Sequence, residues 1–192
     1  MRKFVHQDFA RTSRFRRDIG GAAAIEFAFI VPLMVAMFIG TVELSQAITV
    51  DRRVNQVASS TGDLVARTNA LTTSEMSAIM AVIEQLLKPY DSTPLKLTVL
   101  NVAASPSDAT QTTVCWSYAH NGGTGTYAKN SPYTLPSGVV AAGESAIVAE
   151  VQYEYTPLIF QYFMNSTTSL QETYYLKPRL SIDIKFDGSG CS

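Results

Sequence analysis

The chain contains few of the residues on which metal binding usually depends. Its 192 residues include two cysteines, Cys115 and Cys191, and two histidines, His6 and His120. None of the four lies at the short spacing that metal-binding motifs use. We therefore expect neither a metal ion nor another cofactor.

Signals for catalysis are equally sparse. His120 is the only histidine outside the N-terminal region, and Ser117 precedes it without a Gly-x-Ser-x-Gly setting. Glu150 and Glu154 share one face of a predicted strand, which is typical of a solvated surface. We assign no catalytic residues and do not expect an enzyme, although a membrane-anchored periplasmic enzyme stays open as an alternative.

Positive charge is concentrated in the first 21 residues, called the leader below. The leader holds six Lys and Arg against Asp8 and Asp18, a net charge of +4, whereas the rest of the chain holds nine against fourteen Asp and Glu, a net charge of −5. A basic arm for nucleic acid is one interpretation. Because the basic stretch runs straight into an apolar segment, a membrane flank is the better one, and we expect no nucleic-acid partner.

The apolar segment runs from Ala22 to Val42 and contains one formal charge, Glu26. Twenty-one helical residues at about 1.5 Å each match a bilayer core of roughly 30 Å. The basic flank predicts a cytoplasmic N-terminus and a periplasmic remainder, with a single pass through the bacterial inner membrane. A secretory signal peptide would have a shorter run and a cleavage site after it. Here the small-residue junction precedes the run, which favours a retained anchor.

The junction between leader and anchor carries a recognisable motif. Glu26 and Phe27 stand at the fifth and sixth positions after Gly21–Ala22, behind a basic leader. This arrangement resembles a class III prepilin signal, and a glutamate followed by an aromatic residue is similar to the tight-adherence (Tad/Flp) branch of type IV pili. The resemblance implies that a prepilin peptidase cuts between Gly21 and Ala22.

Further residues make the resemblance more specific. Pro32 within the apolar run and the pair Arg52-Arg53 beyond it are similar to TadE-like minor pseudopilins, and the resemblance covers Arg16–Arg67. It implies a pilus assembly protein that supports pilus biogenesis and adhesion, either within a surface pilus or as an initiator of its assembly. The implied partners are the inner membrane, the peptidase, other pilins or pseudopilins and the assembly platform. The alternative is a membrane-anchored periplasmic binding or sensor protein.

Glu26 is a candidate for function because a carboxylate within a membrane span is costly. The resemblance implies that in related pilins the equivalent glutamate neutralises the new α-amine of a neighbouring subunit. A buried carboxylate needs such a partner. The simpler interpretation is a tolerated residue near the end of the helix.

A weaker resemblance continues in the C-terminal part. The stretches Val114–Ser117, Tyr153–Leu158 and Lys177–Arg179 are similar to the later part of TadE-like proteins. Such proteins more usually have Arg-Pro-Arg where this chain has Lys-Pro-Arg. Lys177 keeps the charge but not the bidentate geometry, which would weaken binding of a partner carboxylate there.

The helix that spans the membrane is expected to continue to Arg67. From Glu43 to Arg67 there is no proline and one glycine, Gly62, and an apolar seam recurs at 3-4-3-4-3 spacing. The seam consists of Ala47, Val50, Val54, Val57, Thr61 and Leu64. We expect it to pack on the protein's own sheet, with a coiled-coil dimer as the alternative.

The remainder predicts a second helix followed by strands. Thr72 and Glu75 have the form of a capping box, and Pro89 ends the helix, whose apolar stripe includes Met76 and Met80. Period-two patterns then predict strands at 95–102, 112–118, 147–155, 173–176 and 180–186. In the second of these, Val114, Trp116 and Tyr118 are expected on one face and Cys115 on the other. In the first, a phase shift near Val99–Leu100 indicates a bulge or burial on both faces.

Together these patterns predict an α+β fold with a long pilin-like N-terminal helix, a second helix and an antiparallel sheet of four to five strands. The expected parts are the leader (1–21), the transmembrane helix (22–42), a helical extension (43–72) and a periplasmic head (73–192). In an oxidising compartment Cys115 and Cys191 most simply form one disulfide. A reduced pair in the cytoplasm is the alternative.

One apolar stretch has two interpretations. Residues 157–164 read Pro-Leu-Ile-Phe-Gln-Tyr-Phe-Met, next to expected loop residues 165–169. The stretch either covers the core or forms an exposed edge that contacts the membrane or a second pseudopilin.

Overall fold

The computed structural model describes residues 19–125, 127–159, 161 and 167–191. The leader up to Asp18 lies outside the described residues, as do residues 160 and 162–164 of the apolar stretch at 157–164. The chain forms two compact units, residues 1–45 and 46–192.

Helix α1 runs over Ile19–Ala66, 48 residues with Pro32 inside. It begins three residues before the expected start at Ala22 and ends one residue before Arg67. The stretch Gly21–Ala66 is long and apolar enough to cross a membrane, and none of its most apolar window is buried. The long N-terminal helix predicted from the sequence is therefore confirmed.

A short strand and a second helix follow. Strand β1 is Ala70–Leu71 and helix α2 is Thr73–Glu84, continued by a 3₁₀ turn at Gln85–Leu87. The capping box is confirmed, because the Thr72 hydroxyl accepts from the Glu75 N–H and the Glu75 carboxylate accepts from the Thr72 N–H. The Thr72 N–H and the Thr72 hydroxyl both donate to this carboxylate and lower the pKa of Glu75, with the backbone N–H as the largest cause. Two otherwise unpaired donors at the start of α2 are satisfied in this way.

Four strands form the predicted antiparallel sheet. They are β2 (Leu95–Ser105), β3 (Asp108–His120), β4 (Ser145–Tyr155) and β5 (Thr168–Leu176), in the order β3-β2-β4-β5. A last two-residue strand, β6 (Lys185–Phe186), pairs in parallel with β1. The α+β class is confirmed.

The apolar seam of α1 packs on the protein's own sheet. Val50, Val54 and Val57 are buried in one core cluster with Leu97 and Ile147 of the sheet. Other members of this cluster include Met76, Met80, Ile83, Leu87, Leu95, Val99, Val151 and Ile184. The coiled-coil alternative has no support in this arrangement.

The seam departs from the predicted spacing at its end. Leu64 is 37% exposed, whereas Val65 is fully buried. A straight α-helix repeats every 3.6 residues, so its buried stripe drifts away from a 3.5-residue pattern. The prediction of Leu64 as a seam residue is wrong for this reason.

A register shift in β3 overturns another prediction. Trp116 pairs with Asn101 and Val114 pairs with Val102, so Cys115 has no counterpart on β2. Cys115 and Trp116 both join the core on the helix side, and Val114 joins a second cluster on the opposite face. The bulge reverses the alternation expected for Val114 and Cys115.

The neighbouring strand β2 shows both features that its pattern indicated. Val99 belongs to the helix-side cluster and Leu100 to the cluster on the other face, so the strand is buried on both faces. The register shift lies slightly further along, between Asn101 and Val102.

The last two strands also differ from expectation. Strand β5 begins at Thr168 and pairs with β4 as far as Tyr155, so Thr168 and Ser169 are not loop residues. Of the strand predicted at 180–186 only β6 forms, and Leu180 and Ile182 are 66% and 75% exposed. The sheet pairing ends at Leu176, and the Arg179 N–H then bonds to the Ala66 carbonyl at the end of α1 rather than to a strand.

Candidate functional site

The predicted cleavage junction lies in the first turn of α1. Gly21 and Ala22 are exposed, and a Cβ built on Gly21 would meet nothing within 4 Å. The first turn of a helix has N–H groups without intrahelical acceptors, so it opens more easily than the interior. Packing among the described residues therefore gives no reason for a glycine at position 21.

Glu26 and Phe27 lie one turn further along the same helix. Both are exposed, Phe27 by 65%. Glu26 follows Ala22 by four residues, which places the two on one face of the helix about 6 Å apart along its axis. The structure thus presents the carboxylate on the surface of the apolar helix.

The surrounding helix surface is apolar and open. Exposed large side chains of the span are Ile25, Phe29, Ile30, Leu33, Met34, Val35, Met37, Phe38 and Val42. A continuous surface of this kind requires lipid or another apolar surface around it. The Thr41 hydroxyl donates to the Met37 carbonyl at 2.9 Å, so this polar group is satisfied within the helix.

The C-terminal segment 179–191, called the C-terminal clamp below, is fastened to the sheet. A disulfide joins Cys191 to Cys115 in the bulge of β3. The indole N–H of Trp116 donates to the Ile184 carbonyl at 2.6 Å, and the Phe186 ring stacks on Trp116 with centroids 5.1 Å apart. The clamp thereby places Ile184 in the helix-side core and packs Phe186 against that core.

A buried polar contact completes the clamp. The side-chain amide of Asn101 donates to the Asp183 carboxylate at 2.5 Å and to the Ile184 carbonyl at 3.1 Å. Asp183 also accepts from the Cys191 N–H at 2.8 Å. Cys115, Asp183 and Cys191 lie close enough to resemble a metal-ligand group, but the two sulfur atoms are bonded to each other.

The Lys-Pro-Arg stretch is engaged within the protein. The Lys177 ammonium lies 2.5 Å from Glu144, and the Arg179 guanidinium lies 2.5 Å from Asp63. Arg67 pairs with the same Asp63 carboxylate at 2.5 Å. The side-chain bond from Lys177 is the largest cause of a lowered Glu144 pKa. Arg179 thus attaches the start of the clamp to α1, and Lys177, just before the clamp, pairs with the loop before β4.

Glu150 is not the solvated residue that its strand position indicated. Its carboxylate accepts from the hydroxyls of Thr124, Tyr127 and Tyr133 at 2.7–2.8 Å. The pKa of Tyr127 is raised to about 12, and that of Tyr133 is raised further. Burial is the largest cause for both, and the bond to Glu150 is the next largest. The network holds the β3–β4 loop against the outer face of the sheet. The sequence signal for it was the pair of tyrosines in a loop otherwise rich in small residues, and strand periodicity alone does not reveal it.

The other candidate catalytic residues are not brought together. His120 Nε2 lies 2.8 Å from Glu84, and the Ser117 hydroxyl donates to the Tyr127 carbonyl at 2.8 Å. Glu154 accepts from the Gln152 side chain at 2.7 Å. Each of these groups therefore has a structural partner of its own.

Comparisons with known proteins bear on the N-terminal segment. No curated protein and no solved structure matches the chain. Residues 21–62 match the family model described as TadE-like protein. The match begins at Gly21 and includes Glu26, Phe27 and Pro32, which carried the resemblance in the sequence. Residues 21–62 are therefore similar to TadE-like proteins.

Proposed function

We propose that the protein is a minor pseudopilin of a Tad (Flp) pilus. The observation that carries this proposal is the TadE-like match over residues 21–62, on a helix that exposes both its apolar surface and Glu26. In this role α1 anchors the chain in the inner membrane with the leader in the cytoplasm. Residues 46–192 then lie in the periplasm or, after assembly, in a surface pilus that supports adhesion.

Processing is the first step of the proposed role. A prepilin peptidase cleaves between Gly21 and Ala22 after the first turn of α1 has opened. Glycine leaves the scissile carbonyl unhindered and allows an extended backbone in a narrow cleft. Anionic headgroups attract the basic leader and hold the junction at the cytoplasmic face.

Assembly is the second step. Cleavage creates an α-amine at Ala22, and Glu26 of an adjacent subunit neutralises it as apolar helices pack together. A carboxylate transferred into such a bundle requires a cationic partner, because an uncompensated charge there is costly. The head, closed by its disulfide, supplies contacts to other pilins, to pseudopilins and to the assembly platform.

The decisive experiment is the mass of the mature N-terminus in cells with and without the peptidase. We expect Gly21→Leu to accumulate as the full-length form. Gly40→Leu is a matched control, because a Cβ at Gly40 of the same helix also meets nothing within 4 Å. We expect it to be cleaved normally. An unprocessed wild-type chain beside an active peptidase would contradict the proposal and favour a membrane-anchored binding or sensor protein.

Glu26 is tested separately from cleavage. Glu26→Ala removes a charge from the span and should not impair insertion. We expect the variant to be inserted and cleaved but unable to support pili, and Glu26→Gln should behave in the same way because it cannot neutralise an amine. Normal pilus levels from either variant would exclude the proposed pairing with the amine.

A further inference from the structure

One cavity of the second compact unit, residues 46–192, includes a residue that closely follows the apolar run in the sequence. This cavity of about 290 Å³ has Gln46 at its rim. Gln46 follows the apolar run, which ends at Val42, by four residues. Four residues span at most about 14 Å even when fully extended. Gln46, and with it one wall of the cavity, is therefore tethered close to the end of the apolar run whatever the conformation of the connection.

The lining of the cavity combines aromatic rings with negative charge. Tyr90, Tyr153 and Tyr155 line it together with Asp91 and Glu154, and none of the described lining residues is Lys, Arg or His. Tyrosine is enriched at membrane–water interfaces, and aromatic rings beside carboxylates attract ammonium groups. The charge of the lining therefore complements a cation.

The lining groups are fixed in place. Tyr153 donates its hydroxyl to the Asp91 carbonyl at 3.0 Å, and Tyr90 donates to the Gln46 side chain at 3.1 Å. The Asp91 carboxylate accepts from the Thr93 N–H and hydroxyl, and these bonds lower its pKa. Asp91 is therefore ionised at neutral pH.

Apolar side chains continue the surface beyond the cavity. Leu158 also lines the cavity and is 60% exposed, and the adjacent Ile159 is 36% exposed. An exposed apolar pair beside tyrosines is the arrangement that partitions into the boundary between headgroups and acyl chains. The same face of the head therefore has both an exposed apolar pair and a negatively charged cavity that complements a cation.

We propose that this face, formed by the tyrosine-lined cavity and Leu158–Ile159, contacts the lipid bilayer in which the protein is anchored and binds the ammonium headgroup of a zwitterionic phospholipid of the phosphatidylethanolamine type. This inference rests on the membrane anchorage proposed above. The headgroup enters the cavity between the carboxylates and the tyrosines, while the two aliphatic side chains reach the acyl boundary. The contact orients the head on the membrane before the subunit enters a filament.

The test uses the full chain in nanodiscs of phosphatidylethanolamine with phosphatidylglycerol, and in nanodiscs of phosphatidylglycerol alone. Hydrogen exchange of the amides of 153–159 is the readout. We expect exchange to be about fivefold slower in the first lipid, since one ammonium contact is lost in the second. Equal exchange in the two lipids and in detergent would overturn the proposal.

Two variants connect the effect to the cavity. Asp91→Asn combined with Glu154→Gln keeps the side-chain acceptors but removes both charges, and we expect it to abolish the difference between lipids. Glu172→Gln is the matched control, because Glu172 lines a different cavity beside β5. A difference that persists in the double variant would refute the proposed headgroup site.

Photoreactive phosphatidylethanolamine provides an independent readout. We expect it to label Leu158 and Ile159 but not Leu180 and Ile182, which are at least as exposed but lie in the C-terminal clamp. Equal labelling of both pairs, or crosslinks to a second copy of the chain instead of lipid, would overturn the proposal. Co-elution of the chain with nanodiscs reports anchorage, and the mature N-terminal mass reports pseudopilin processing, so failure of either is distinguishable from failure of this inference.

Discussion

The two compact units of this protein differ in the exposure of their apolar side chains. In residues 1–45 the described part of α1 exposes its aromatic and aliphatic side chains along its whole length. In residues 46–192 the apolar side chains of helix and sheet are mutually buried, and a disulfide closes the core. The first unit requires an apolar environment, whereas the second supplies its own.

Glu26 also differs from acidic groups of the second unit in its surroundings. Acidic groups of the second unit, such as Asp63, Glu144 and Glu150, have cationic or hydroxyl partners within that unit. Glu26 of the first unit is exposed on an apolar helix. The carboxylates that have partners within the second unit stabilise the head. Glu26 lies exposed on the apolar helix, and it is the group for which we propose a partner on another subunit.

Among the variants that test this comparison, removal of the disulfide should lower the free energy of unfolding of the head the most. We expect the Cys115→Ala and Cys191→Ala double variant to lower the free energy of unfolding of the head by about 4 kcal/mol, because the bridge closes a loop of 76 residues. Urea unfolding followed by Trp116 fluorescence measures it. Phe29→Leu in the exposed span should leave the same transition unchanged. An unaltered transition in the double variant would show that the clamp does not stabilise the head.

Trp116→Phe should have the next largest effect. The ring contact with Phe186 can persist, but the Ile184 carbonyl loses its 2.6 Å donor and keeps only Asn101. We expect a loss of about 1–2 kcal/mol, which far-UV circular dichroism can follow during urea unfolding. Phe38→Leu is the matched substitution in the apolar span and should leave the free energy of unfolding of the head unchanged. Equal effects of the two variants would contradict the distinction between the units.

Asp63→Asn tests the ion pairs that join the clamp to α1. Because Arg67 and Arg179 share this carboxylate, we expect a loss of up to about 1 kcal/mol that shrinks at high salt. Thermal unfolding at two salt concentrations measures the effect. Asp51→Asn, an exposed carboxylate on the same helix, is the control. A salt-independent loss would indicate a packing effect rather than an ionic one.

Glu144 should contribute a small pH dependence. Its pKa is lowered from 4.5, first by the bond from Lys177 and then by the Ala141 N–H. A carboxyl with a lowered folded-state pKa stabilises the fold above its unfolded pKa and loses that contribution as the pH falls through the folded value. We therefore expect Glu144→Gln to unfold with a shallower pH dependence below about pH 4.5 than the wild type. Lys177→Ala should reduce the slope in a similar way, and parallel pH profiles would refute the pairing.

Local patterns predicted a large part of the fold. The long helix, the capping box at Thr72 and the first four predicted strands rest on spacing along one segment, and the structure has their ends within about five residues. The expected cysteine pair is joined in the structure. Processing at Gly21–Ala22, the role of Glu26 and the orientation in the membrane stay predictions, because they depend on partners outside the chain.

Contacts between distant segments explain the predictions that were wrong. Cys115 faces the helix side because β2 and β3 shift register beside it, and strand alternation assumes a constant register. Glu150 is engaged by hydroxyls from a loop that precedes it by more than 15 residues. The strand expected at 180–186 is replaced by the C-terminal clamp, whose backbone bonds to the ends of α1 and β1.

The sequence alone determined the apolar helix, its single carboxylate within 22–42, the order of the two helices and of the four sheet strands, and the family resemblance, because each depends on composition or spacing within one continuous segment. The tertiary structure alone decided which face of β3 carries Cys115, which partners Lys177, Arg179 and Glu150 have, and that tyrosines and carboxylates line one cavity beside Gln46. These features depend on pairing and packing between residues far apart in the chain. The energy of such contacts is set by geometry that no local pattern contains.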